Sequence, residues 1–113
     1  MRVSNLLSNL GLCRRAGKLE AGFDSVKQAV VNRLALLILY TEDLSDKTKK
    51  EILFLAGKYQ IEAVLVPLTM DQVAQMLRKK IGVFAVTDQG FVTMLKKSLA
   101  NLSDDQPQSE QSN

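Results

Sequence analysis

A run of three cations lies late in the chain, Arg78, Lys79 and Lys80, and is followed by Ile81 and Gly82. Cationic side chains bind phosphates by charge, and an apolar side chain beside a glycine can support an unstacked base. The same run also suits a solvated helix end, where cations are favoured by the helix dipole. The residue types therefore indicate a phosphate-binding loop or a helix end, and both interpretations stay open.

A second stretch with binding chemistry lies in the first quarter of the chain. It consists of Gly22, Phe23, Asp24, Ser25, Lys27 and Gln28. A glycine permits close approach of another backbone, and a helix that starts after it offers free N–H groups to phosphates or base edges. The alternative is a simple turn, with Asp24 as the helix cap and Phe23 as a hydrophobic staple.

Residues 11–18 contain two glycines and a lysine, as phosphate loops of nucleotide-binding proteins do. Five residues separate these glycines, however, where the phosphate loop has four, and Leu19 stands where a hydroxyl would bind magnesium. We interpret the segment as a helix end with Gly17 as its left-handed cap. The cations beside that cap are Arg14, Arg15 and Lys18.

The sequence argues against catalysis. It contains no histidine and one cysteine, Cys13, so it lacks the commonest general base and cannot form a Cys–His dyad, a zinc site of these residues or an internal disulfide. The paired carboxylates Glu42 and Asp43 follow an apolar stretch as a turn, without an acid–base partner. We predict a non-enzymatic protein with no cofactor and no bound metal.

Length and composition suit a single cytoplasmic domain. The 113 residues are 46% hydrophobic and 24% charged, which is typical of globular proteins. No secretory signal is evident, and no apolar run approaches the ~18 residues that a membrane span needs. We expect residues 1–102 to form one monomeric domain without a membrane partner.

The charge is unevenly distributed. Residues 103–113 carry three carboxylates and no cation, so removing them from a chain of charge +3 leaves +6 on residues 1–102. We predict that this acidic, polar tail is disordered, because it has no apolar residue to offset its ordering entropy. A small basic domain suits a polyanionic partner such as RNA.

Apolar periodicity predicts five helices. The first covers residues 4–16, and the others start near Asp24, at Ser45 or Asp46, at Thr69 and at Gly90. Between them lie a short extended stretch at 18–21 and three apolar segments, at 35–40, 63–66 and 83–86, which we predict as buried strands. Strands that alternate with helices favour a mainly parallel sheet between helical layers.

Several of these segments resemble one known family. Residues 10–19, followed by Gly22, Val26 and residues 36–43, resemble the ribosomal protein family L-seven-Ae and its bacterial YlxQ-like paralogues. Residues 85–91 resemble the corresponding ending in the same superfamily, which includes ribosomal protein L-thirty-e. The similarity spans about residues 4–100. It implies an α/β fold, a three-layer α/β/α sandwich with a mixed, mostly buried sheet of about four strands.

The resemblance also implies a function. In that superfamily the start of the second helix reads the tandem sheared G·A pairs of an RNA kink-turn, and the loop before the last strand packs on an unstacked base. It therefore implies a non-catalytic, ribosomal or ribosome-associated protein that binds a structured RNA, with ribosomal proteins as further partners. The first contact surface would lie on residues 22–25 and Gln28, and the second on residues 78–83. We expect Arg14, Arg15 and Lys18 to flank the first surface as further RNA-binding residues.

The sequence departs from the kink-turn readers at three positions. Asp24 and Ser25 stand where they carry Asn and Glu, and Gln28 stands where they carry Lys, although Lys27 is adjacent. A carboxylate accepts hydrogen bonds from guanine but cannot donate as an amide does. The departure favours an alternative, a protein-interaction or regulatory module on the same fold, for which Phe23 and Ile81 would matter more than the cations.

Overall fold

The computed structural model describes residues 2–104, which form five helices and four strands. The helices are α1 (Arg2–Arg15), α2 (Phe23–Val31), α3 (Asp46–Tyr59), α4 (Met70–Leu77) and α5 (Gln89–Asp104). The strands are β1 (Leu19–Ala21), β2 (Leu37–Thr41), β3 (Ala63–Val66) and β4 (Val83–Val86). Apart from Ser103 and Asp104, at which α5 ends, the tail predicted to be disordered lies outside the described residues. Within residues 2–104, no helix is both long and apolar enough to cross a membrane.

The sheet is mixed, with the strand order β1-β4-β2-β3. Strands β2 and β3 are parallel, whereas β4 runs antiparallel to both of its neighbours, β1 and β2. The prediction of a mainly parallel sheet is therefore wrong, and the mixed sheet implied by the resemblance is confirmed. Alternation of strands with helices does not fix strand direction, because a connection that contains a helix, such as residues 67–82 with α4, can also bring the chain back to the end it left. The chain leaves β3 and enters β4 at the same end.

Helices cover both faces of the sheet, because side chains alternate along each strand. One core lies under α1, α4 and α5 and receives Leu37, Leu39, Phe84 and Val86 from the sheet. The other lies under α2 and α3 and receives Ile38, Val83 and Ala85. The three-layer α/β/α sandwich is thus confirmed. The strands at 37–41 and 83–86 are buried on both faces, which explains their continuous apolar sequence.

Strand β3 is less buried than its apolar sequence predicts. It occupies an edge of the sheet, and of its four residues only Val66 is buried, while 52% of the Leu65 surface is exposed. The segment is a strand as predicted, but its predicted burial on both faces is wrong. An edge strand needs one covered face only, and an apolar run does not show which place a strand takes in the sheet.

Local capping chemistry fixes most of the element ends. Ser45 caps α3, and Thr69 forms a reciprocal capping box with Gln72 at the start of α4, as the sequence predicts. Gly17 has a φ of 76° and ends α1 in the left-handed conformation, also as predicted. The cap predicted at Asp24 is wrong, because α2 starts one residue after Gly22 and Asp24 lies inside its first turn.

Candidate nucleic-acid interface

The two stretches with predicted binding chemistry meet at one end of the sheet. Strands β1 and β4 pair in a register that sets Ala21 opposite Phe84. Directly beyond that pair, the Gly22 N–H donates to the Val83 carbonyl at 3.0 Å. The start of α2 and the end of the α4–β4 loop (residues 78–82) are therefore adjacent, although more than fifty residues separate them in the sequence.

The start of α2 presents unsatisfied backbone donors. Gly22 has a φ of 98°, and among the described residues no side chain caps this helix, whereas Ser45 and Thr69 cap α3 and α4. The first intrahelical bond runs from the Val26 N–H to the Gly22 carbonyl at 2.9 Å. The N–H groups of residues 23–25, which precede that bond, remain available to a ligand at the positive end of the helix dipole.

A depression of about 320 Å³ lies on the outer side of α2. Asp24, Ser25 and Gln28 all line it, and Glu20 adds a second carboxylate at its edge. Asp24, Ser25, Lys27 and Gln28 are exposed, and Phe23 is partly buried against the core under α2 and α3. The depression combines carboxylate, hydroxyl and amide groups, so it suits a partner that presents hydrogen-bond donors.

The α4–β4 loop carries the cations outward. Arg78 ends α4 with a φ of 66°, and Arg78, Lys79 and Lys80 are all exposed. The Lys80 ammonium lies 3.3 Å from an Asp71 carboxylate oxygen, but both side chains are solvated and such a pair contributes little, so Lys80 can exchange to a phosphate. Ile81 is partly buried against the core under α1, α4 and α5. It offers only part of its surface to a base.

Gly82 is required by packing. A β-carbon at this position would lie 2.9 Å from Thr41 Oγ1, 3.0 Å from Leu44 Cδ1 and 3.1 Å from Met70 Cγ. Its carbonyl accepts from the Thr41 N–H at 2.9 Å, so the loop is held against the end of β2. From the sequence we expected this glycine to serve RNA binding. In the structure its missing side chain makes room for Thr41, Leu44 and Met70.

Asp43 also stabilises this end of the sheet. Its carboxylate accepts from the Met70 N–H, with distances of 3.1 and 3.2 Å to the two oxygens. The prediction that Glu42 and Asp43 form a turn is confirmed. A carboxylate at the start of α4 is favoured by the helix dipole, and it occupies the donor that an anion would otherwise use.

The cations of the first helix lie at the other end of the sheet. The Lys18 carbonyl accepts from the Thr87 N–H at 3.0 Å, beyond the pair formed by Leu19 and Val86. An extended chain rises ~3.3 Å per residue, so Lys18 lies about 13 Å from Gly22. Arg14 and Arg15 occupy the last turn of α1 and are exposed. The structure therefore separates these three cations from the residues around Gly22 and Gly82.

Phe54 is a surface residue that sequence reasoning missed. Its side chain, on α3, is 70% exposed. Helical spacing could have found it, because the core stripe of α3 contains Ile52 and Ala56, and Phe54 lies about 200° around the helix from Ile52. A large aromatic side chain away from the stripe is therefore expected to point into solvent. It lines a groove between α2 and α3.

Cys13 has no nucleophilic character in this fold. It is fully buried, and burial, with a smaller contribution from the Asp88 carboxylate, raises the pKa of its thiol to about 11. A protonated thiol is neither a nucleophile nor a metal ligand at neutral pH. Within residues 2–104, no cluster of three or more His, Cys, Asp or Glu side chains could hold a metal ion.

Comparisons with known proteins place the chain among YlxQ proteins. The RNA-binding protein YlxQ of Bacillus subtilis (strain 168) is 37% identical in an alignment of 91 positions that covers 76% of this chain and 86% of that protein. The RNA-binding protein YlxQ of Enterococcus faecium is 28% identical over 88 residues, 78% of this chain and 84% of that protein. No family model matches the chain.

Solved structures share the fold. A protein of unknown function from Bacillus halodurans superposes with a TM-score of 0.75 at 32% identity, covering 84% of this chain and 96% of that one. The Giardia lamblia 15.5kD RNA binding protein superposes with a TM-score of 0.68 at 9% identity, covering 90% of this chain and 88% of that one, which shows the common fold alone. The resemblance seen in the sequence is confirmed, and the chain belongs to the YlxQ family of L-seven-Ae-like proteins.

Proposed function

We propose that this chain is a non-catalytic RNA-binding protein, ribosomal or ribosome-associated, that holds a kink-turn-like structured RNA between the start of α2 and the α4–β4 loop. The observation that carries the proposal is the hydrogen bond from Gly22 to Val83, which sets the two predicted contact surfaces side by side. The printed names of the two YlxQ relatives, both RNA-binding proteins, support it. We expect the protein to act in the cytoplasm as a monomer without a cofactor.

The two surfaces would contribute different interactions. The free N–H groups of α2, with Ser25 and Gln28, would donate to phosphates or base acceptors. The carboxylates of Asp24 and Glu20 would accept from guanine N–H groups exposed at sheared pairs. Arg78 and Lys79 would neutralise phosphates, and the exposed part of Ile81 would support an unstacked base.

The cations at the far end of the sheet would have a lesser role. Arg14, Arg15 and Lys18 would reach only an RNA that extends about 13 Å along β1 from Gly22. Ribosomal RNA, with its long stems, is a partner of this kind. We expect these three residues to raise overall affinity without selecting the RNA.

A binding titration tests the proposal. The full chain is titrated against a kink-turn RNA and against a duplex of the same length that lacks the G·A pairs, at two salt concentrations. We expect tighter binding to the kink-turn at both. Equal, steeply salt-dependent binding to both RNAs would contradict recognition of the structured motif, because only non-specific charge attraction behaves in this way.

The alternative is a protein-interaction or regulatory module, favoured by the Asp24, Ser25 and Gln28 departures. It needs apolar surface on Phe23 and Ile81, yet both are partly buried against the two cores. Alanine substitution of Phe23 and Ile81 tests this alternative. It would be favoured if the substitutions left RNA affinity intact but abolished RNA-independent association with ribosomal proteins. The exposed cations of the α4–β4 loop favour RNA.

A further inference from the structure

A groove of about 500 Å³ separates α2 from α3 on the outer surface of the molecule. Its walls include Phe23, Lys27, Lys50, Phe54, Lys58 and Tyr59. Phe54 leaves 70% of its surface in solvent, which is the largest exposed fraction among the large hydrophobic residues described. An aromatic ring this exposed contributes little to the core beneath α3, so its packing does not explain its presence.

The groove attracts anions. Three exposed lysines, Lys27, Lys50 and Lys58, line it, against a single carboxylate from Glu51. The charge of the groove therefore calls for a negatively charged partner.

Part of this charge is held in place. The Lys58 ammonium nitrogen lies 5.8 Å from the centre of the Tyr59 ring, and the Arg33 guanidinium carbon lies 5.5 Å from it. Cation–π contacts of this kind restrain long side chains that would otherwise sample many rotamers. The ring of Tyr59 is thereby engaged with cations and Phe23 is partly buried, so Phe54 offers a ligand the most exposed aromatic surface of the groove.

We propose that this groove binds a single-stranded segment of RNA, with one base stacked on Phe54 and phosphates on Lys27, Lys50 and Lys58. A single strand presents a phosphate and a flat ring in every nucleotide, which matches lysines around an exposed aromatic side chain. An acidic peptide would match the charge but supplies no regular planar group for Phe54.

The position of the groove supports the same occupant. Phe23 and Lys27 belong to the first turns of α2, where the structured RNA is proposed to bind, so the groove continues directly from that surface. The choice of RNA as the occupant rests on the proposed function. A single-stranded end that leaves the structured RNA beside α2 would enter the groove at Phe23 and Lys27.

The test compares one structured RNA with and without a single-stranded extension of eight uridines, placed at either end. For the unchanged protein we expect an extension at one end to raise affinity about tenfold, the usual effect of one stacked base. Phe54→Ala should abolish that gain and leave affinity for the unextended RNA unchanged. Leu65→Ala on β3, whose side chain is 52% exposed, is the matched control and should keep the gain.

A charge variant gives an independent readout. For the extended RNA, Lys50→Gln should reduce the slope of log affinity against log salt concentration by about one. The slope for the unextended RNA should not change. Lys97→Gln, at an exposed position of α5 on the opposite layer, is its control. Thermal unfolding of each variant confirms that it folds.

The outcomes separate this site from the proposed function. If the unextended RNA binds and neither extension adds affinity, or if Phe54→Ala keeps the gain, the groove proposal is overturned and the function stands. If only isolated octauridine binds, and binding requires Phe54, the groove proposal stands and the proposed function fails. Tighter Phe54-dependent binding of an acidic peptide than of octauridine would overturn the groove proposal in favour of a protein partner.

Discussion

The two ends of the sheet carry similar side chains on very different backbones. One end holds Arg78, Lys79 and Lys80, and the other holds Arg14, Arg15 and Lys18. At the first end, α2 starts without a side-chain cap, so its first N–H groups are available to a ligand. The hydrogen bond from Gly22 to Val83 holds that helix start against β4. At the second end, the helix that starts there, α5, is capped by the Asp88 carboxylate, which accepts from the Phe91 N–H at 3.1 Å.

This difference shows why equal numbers of cations do not make equal binding sites. Both groups of cations follow a helix C-terminus, that of α1 or that of α4, so both are partly satisfied by helix carbonyl groups and the dipole. Cations beside an uncapped helix start add to a positive potential that only an external anion can satisfy. We therefore propose that RNA is recognised at the end that contains Gly22 and the α4–β4 loop.

Removing the cations at each end in turn should give the largest difference in RNA affinity between the two ends. The triple change Arg78→Ala, Lys79→Ala and Lys80→Ala should weaken binding to a kink-turn RNA by about 10- to 100-fold and reduce its salt dependence, because phosphate contacts are lost. The matched triple, Arg14→Ala, Arg15→Ala and Lys18→Ala, should cost less than about threefold on an RNA with short stems. Fluorescence titrations at several salt concentrations measure both.

The reverse ranking of the two triples would break the comparison. Equal losses would show that net charge, rather than the geometry around Gly22, controls affinity.

A glycine substitution tests whether the α4–β4 loop must pack against β2. Gly82→Ala should lower the free energy of unfolding by about 1–3 kcal/mol, because its β-carbon would lie within 3.1 Å of Thr41, Leu44 and Met70. It should also weaken RNA binding by displacing the loop. Gly57→Ala is the control, since a β-carbon there meets nothing within 4 Å and should stabilise α3 slightly. Urea unfolding compares them, and an unchanged Gly82→Ala midpoint would refute the packing role.

Two left-handed helix ends give a finer comparison. Arg78, with a φ of 66°, ends α4 beside the proposed interface, and Gln60, with a φ of 58°, ends α3 at the other end of the sheet. Arg78→Gly and Gln60→Gly should each stabilise the fold by about 1 kcal/mol, because glycine adopts this conformation without strain. Only Arg78→Gly should weaken RNA binding. Calorimetry and titration measure the two effects, and equal affinities would argue against a phosphate contact at Arg78.

The smallest expected effect concerns Cys13. Because the pKa of its thiol is raised to about 11 in the fold, the unfolded chain ionises first as pH rises. The stability that the neutral thiol contributes is therefore present below about pH 9 and is lost between about pH 9 and 11. The difference in unfolding free energy between the unchanged chain and Cys13→Ala should shrink over that interval. A constant difference would show that the thiol is not the titrating group.

Much of the fold follows from local sequence. Ser45 and Thr69 precede apolar periodic segments, so the starts of α3 and α4 could be predicted from side-chain capping alone. The direction of β4 could not, because antiparallel pairing with β1 and β2 depends on the path of α4 across the sheet. Local patterns specify an element, and its neighbours are set by long-range packing.

The sequence indicates which residues form the candidate interface but not how they are arranged in space. Gly22 and the α4–β4 loop carry recognisable chemistry, but their adjacency follows from the pairing of β1 with β4, which no short segment encodes. The same pairing sets Lys18 at the far end of the sheet, whereas we expected Lys18, with Arg14 and Arg15, to flank the residues around Gly22. Asp24 was misplaced as a cap because Gly22, with its positive φ, starts α2 earlier.

The most direct test is ultraviolet crosslinking of the full chain to a kink-turn RNA, with the crosslinked peptides identified by mass spectrometry. We expect crosslinks within residues 22–28 and 78–82, at the end of the sheet where Gly22 bonds to Val83. Crosslinks confined to residues 14–18 and 87–91, at the opposite end, would contradict the assignment of the RNA-binding surface.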